Sequence, residues 1–109
     1  MSTTVPEMPR SANQETLQIT PATTALAQTN DATISSSTEI TLNSSTALIE
    51  VTAKTNGIYM KWGTDDVTSS NFDEYILGNT TRHYAVPSGE TAVNFIEEAA
   101  SATLIVIEK

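Results

Sequence analysis

The sequence predicts an all-β protein, a small β-sandwich or jelly-roll-like barrel with an extended N-terminal arm. Three observations lead there. Nineteen Thr and eleven Ser among 109 residues favour half-solvated strands and polar turns over helices. From residue 39 onward, apolar and polar residues alternate over short runs, the period of a strand with one face buried. Single glycines at Gly57, Gly63, Gly78 and Gly89 punctuate those runs at the spacing of turns in a sandwich.

The elements follow in chain order. Residues 1–20 read as a polar arm, because Pro6, Pro9 and many small polar residues leave too little apolar surface to order the segment alone. Within it, residues 16–20 alternate polar and apolar, which marks Leu17 and Ile19 as candidate partner-binding positions that add a strand to a neighbouring edge. Residues 21–38 read as a linker passing into a weak strand around Ile34, and residues 39–109 as the sandwich domain. Its first strands cover residues 39–42 and 48–55, separated by Asn43-Ser44-Ser45, with Ile49, Val51 and Ala53 on one face. Asn56-Gly57 then predicts a type I′ hairpin turn into residues 58–62, where Ile58, Met60 and Trp62 oppose Tyr59 and Lys61. A polar loop at residues 64–71 leads to an extended edge segment at 72–77, and further strands follow at 81–86 and 92–96. A helical alternative for residues 91–101 rests on Val93, Ile96 and Ala100 and on the helix propensity of Glu97 to Ala100; the β-branched and aromatic residues around Phe95 favour a strand. The last strand carries Leu104, Ile105, Val106 and Ile107 without a polar break, so both faces should be covered by the core, a second sheet or another subunit.

Composition narrows the chemistry. A chain of this length holds one domain, and a core drawn mainly from residues 39–109 is small enough that self-association is the natural source of added stability. Cysteine is absent, which removes disulfides and thiolate metal sites. A net charge of −8 opposes binding to a polyanionic backbone, so no direct nucleic-acid partner is expected. No apolar run reaches the length of a membrane span, and residues 1–10 lack the pattern of a signal peptide.

No catalytic, cofactor-binding or metal-binding residue is expected, and the chain reads as non-enzymatic. His83 is the lone histidine, within Arg82-His83-Tyr84, without the partners that a triad or a histidine-based metal site would require, and reads as an ordinary strand position. Asp65, Asp66, Asp73 and Glu74 offer oxygen ligands for Ca²⁺ or a carboxylate pair for acid/base work, but their spacing fits no EF-hand loop, and a solvated acidic loop is the plainer reading. Trp62 with Tyr59, Tyr75 and Tyr84 offers flat rings for stacking on a sugar, against which stands the phase of Trp62 with Ile58 and Met60, which points it to the core.

The stretch Ile58-Tyr59-Met60-Lys61-Trp62-Gly63-Thr64-Asp65-Asp66-Val67, followed by Asn71-Phe72-Asp73-Glu74-Tyr75-Ile76 and the ending Ala102-Thr103-Leu104-Ile105-Val106-Ile107-Glu108-Lys109, resembles small virion proteins of tailed bacteriophages over residues 39–109. The resemblance implies a capsid decoration (cement) protein, or another head or tail accessory subunit, made in the host cytoplasm and bound on the virion surface to the major capsid protein or other virion subunits. It also implies a homo-oligomer, in the first place a trimer, by analogy with proteins that occupy threefold sites. A carbohydrate- or receptor-binding β module of a phage fibre or tail is the alternative.

Overall fold

The computed structural model describes residues 24–109, so the expected arm, with Leu17 and Ile19, lies outside the described residues. Among the described residues there are eight strands and no helix: β1 Ala27–Asp31, β2 Thr38–Thr41, β3 Leu48–Lys54, β4 Ile58–Trp62, β5 Glu74–Ile76, β6 Thr80–Ala85, β7 Ala92–Glu97 and β8 Thr103–Glu108. They form two four-stranded sheets, β1-β8-β3-β6 and β2-β7-β4-β5, with every pairing antiparallel. The pairs β1·β8, β2·β7, β3·β6 and β4·β5 are nested about the β4–β5 loop, as in one long hairpin, and the added pairs β3·β8 and β4·β7 roll that hairpin up. This is the order of an eight-stranded jelly roll, a β-sandwich as the sequence predicts.

The core lies between the sheets. In β3 burial alternates residue by residue, which sends Ile49, Val51 and Ala53 inward, and β8 adds Leu104 and Val106 beside them. The facing sheet contributes Ile40, Ile58, Met60, Ile76, Val93 and Phe95. Ile34, Leu42 and Ala102, from connections between strands, close the ends.

Two local readings change and one alternative is decided. Asn56-Gly57 joins no hairpin, because β3 already has β6 and β8 as neighbours and β4 has β5 and β7, so the segment crosses from one sheet to the other. The positive φ angle falls on Thr55, at 78°, rather than on the Asn-Gly pair. Residues 21–38, read as linker and weak strand, supply β1, while Ile34 is buried outside any strand and its carbonyl accepts from the Glu97 amide at 3.0 Å. The β1 strand, Ala-Gln-Thr-Asn-Asp, carries no large apolar side chain and is held by its backbone ladder to β8. Residues 92–97 form a strand, the reading favoured over a helix, and the turn after them places Ser101 at a φ of 75°.

β8 is a central strand whose two faces differ. Leu104 and Val106 are wholly buried, whereas Ile105 and Ile107 lie half-buried on the outer face. Glu108 ends the inward series at 2% exposure, its Oε1 accepting from the Asn43 amide at 2.8 Å and from the Thr46 hydroxyl at 2.7 Å. A buried carboxylate so placed satisfies the polar groups of the β2–β3 connection.

Candidate functional site

The outer face of the β2-β7-β4-β5 sheet carries the most distinctive surface. Alternation in β4 buries Ile58 and Met60 and turns Tyr59 outward; in β5 it buries Ile76 and turns Tyr75 outward. The antiparallel register sets Tyr59 directly opposite Tyr75, and the two ring centroids are 5.3 Å apart with planes inclined at 50°. Phe72, from the β4–β5 loop, closes on Tyr59 from another side at 4.6 Å and 44°. Phe72 is 40% exposed and Leu77, just beyond β5, is 57% exposed, so the patch presents apolar surface to solvent.

The loop that delivers Phe72 is tied down along its length. The Asp73 amide donates to the Met60 carbonyl at 2.8 Å, and the Trp62 amide returns a bond to Asp73 Oδ2 at 2.8 Å. Thr68 and Asn71 exchange a pair of backbone bonds that close a tight reversal. Val67, 1% exposed, donates its amide to Ser37 Oγ at 2.9 Å; Ser37 Oγ donates to Asn94 Oδ1, and Asn94 Nδ2 donates to the Gly63 carbonyl. Asn94 is therefore buried on the outer face of β7 because the loop is hydrogen-bonded across it.

Tyr75 is seated by two connections between the sheets. Its hydroxyl donates to Glu98 Oε1 at 2.6 Å, and that bond, with lesser help from burial and the carboxylate charge, pushes the phenol above its ordinary value of 10.0. On the other side the ring fills the space a side chain would occupy at Gly57: a Cβ there would meet Tyr75 Cζ at 2.6 Å and Cε1 at 2.7 Å. The two connections are also bonded to each other, Glu98 N to the Gly57 carbonyl at 2.9 Å and Asn56 Nδ2 to the Ala100 carbonyl.

The remaining expected residues are distributed elsewhere. Trp62 is partly buried against the core and meets Tyr84 edge-on at 6.5 Å, so these two rings do not join Tyr59 and Tyr75. The Tyr84 hydroxyl is buried without a hydrogen-bond partner, and burial pushes its titration upward. His83, on the edge strand β6, lies 3.2 Å from Glu50 Oε1, while Lys109 Nζ lies 3.1 Å from Glu50 Oε2. Burial pushes the Glu50 carboxyl up, but the bonds and charges of Lys109 and His83 outweigh it and hold the group below its ordinary value. Asp65 and Asp66 are exposed in the β4–β5 loop, and among the described residues no group of three acidic or histidine side chains is placed to hold a metal ion. No cleft of ligand size opens among the described residues.

The outward phase of Tyr59 was legible in the sequence, but its pairing with Tyr75 and the approach of Phe72 and Glu98 were not, since the alternation around Tyr75 is short and the other two belong to a loop and a turn with no periodicity to orient them. Comparison with protein-family models, curated proteins and solved structures gives no match.

Proposed function

We propose that the chain is a non-catalytic assembly module, a decoration (cement) protein that binds and stabilises an assembled virus shell through the Tyr59–Phe72–Tyr75 patch. The observation that carries this reading is the aromatic cluster on a strand-built face, with Phe72 exposed and Tyr59 and Tyr75 half-buried, beside polar groups such as Glu98 and Asp73. Aromatic anchors of that kind dominate the energetics of protein interfaces, and mounting them on strands and a tied loop limits the entropy lost on docking. The partner is the major capsid protein or another virion subunit, and the protein acts at the capsid surface as a homo-oligomer, in the first place a trimer.

A carbohydrate- or receptor-binding module of a fibre or tail draws on the same rings. The mutual inclinations of 44° and 50° weigh against it, since a sugar chain stacks best on rings that share a plane.

Co-sedimentation with candidate virus shells, together with the protein's mass in solution, tests the proposal. Wild-type protein should pellet with its shell, and Phe72→Ala should weaken that association by about tenfold or more, the range of an interface anchor. Glycan binding at the patch without any shell association would overturn the assembly reading in favour of the second.

A further inference from the structure

Resting on that docking surface, we infer that the patch receives a cationic protein segment, an arginine or lysine side chain of the partner set against the rings and the Glu98 carboxylate. The two sheets carry charge very unequally. Around the β2-β7-β4-β5 sheet and its connections stand Glu39, Asp65, Asp66, Asp73 and Glu98, all exposed, whereas Glu74 shares the phase of Ile76, and Lys61, in phase with Tyr59, is the single cationic side chain of these strands and of the β4–β5 loop among the described residues. The opposite sheet and its flanks carry Lys54, Arg82 and Lys109, with His83, against Asp31, Glu50 and the buried Glu108.

An acidic face of this kind repels anionic partners and steers cationic ones toward the rings. The chemistry at the centre agrees with the field around it. Aromatic faces attract cations through their quadrupole, and a guanidinium can lie flat on a ring while donating to an adjacent carboxylate. Tyr59, Phe72 and Tyr75 supply the faces, and Glu98 sits at the rim within 2.6 Å of the Tyr75 hydroxyl. A neutral sugar draws no advantage from the surrounding charge.

The probe is a blocked peptide alternating Arg and Gly, with the Glu-Gly counterpart as control, titrated into the full chain while the ring protons of Tyr59, Phe72 and Tyr75 are followed by NMR. The Arg peptide should shift those resonances and bind more weakly as salt rises. Phe72→Leu and Tyr59→Leu, which keep the charge but remove the ring face, should each weaken binding by about fivefold, and Glu98→Gln by a similar factor. Phe72 is exposed on a loop, so Phe72→Leu remains informative even where Tyr59→Leu fails to fold. Equal binding by the Leu variants, an equal response to the Glu peptide, or ring shifts produced only by an oligosaccharide would overturn the inference. Shell binding that is insensitive to salt and to Glu98→Gln would overturn the cationic partner while leaving the assembly reading intact. Ring shifts with the Arg peptide but no association with any shell would do the reverse.

Discussion

At the scale of single residues, Glu108 and Glu50 show two uses of a carboxylate in one sheet. Glu108 is enclosed and its partners are neutral donors, the Asn43 amide and the Thr46 hydroxyl. Glu108→Ala removes both hydrogen bonds, each worth about 0.5–1.5 kcal/mol net because the Asn43 and Thr46 donors can turn to water; Glu108→Gln, which keeps an acceptor oxygen, should lose less, as measured by chemical denaturation. Glu50 lies on the outer face between His83 and Lys109, and its depressed titration ties stability to pH. Its contribution is present above the ordinary value of 4.5 and is lost as pH falls through the lower folded-state value. The stability difference between wild type and Glu50→Gln should therefore favour wild type at neutral pH and shrink on acidification below 4.5, in paired denaturation curves across that range.

Among the elements, β8 makes the sharpest contrast because its alternate residues face different worlds. Leu104→Ala opens a cavity between the sheets and should cost about 2–5 kcal/mol, whereas Ile105→Ala, on the half-buried outer face, should cost clearly less in the same denaturation assay. The sequence alone showed an apolar run, Leu104 to Ile107, and no way to rank its two faces, since four consecutive aliphatic residues carry no period. Strands with clean alternation, β3 and β4, were legible in both extent and facing. β1 was not, because Ala27 to Asp31 holds no large apolar residue and owes its conformation to a partner 73 to 81 positions away, Asp31 facing Leu104 at the near end of the ladder and Ala27 facing Glu108 at the far end. The misplaced hairpin has a similar origin. Asn56-Gly57 has the local chemistry of a tight turn, but sheet membership is decided by which edges remain unpaired, and that information is distributed over the whole chain.

For the molecule as a whole, the nested pairing fixes how it must fold. Only β4 and β5 are both consecutive and hydrogen-bonded, and every other ladder joins distant stretches of chain. A topology with so few local pairings should fold in the millisecond-to-second range, and stopped-flow refolding followed by Trp62 fluorescence measures it. The same arrangement explains why the composite patch escaped a reading of the sequence. Its rings come from a strand, a loop and a second strand around that one local pair, and its acidic partner Glu98 arrives from a turn that only the rolled-up sheet brings near. The seat of Tyr75 carries a mechanical consequence. Its ring rests in a notch between Gly57 and Glu98, each on a connection that joins one sheet to the other. In the proposed docking role, a load applied to the ring would therefore be carried to the joints between the two layers rather than to one strand alone.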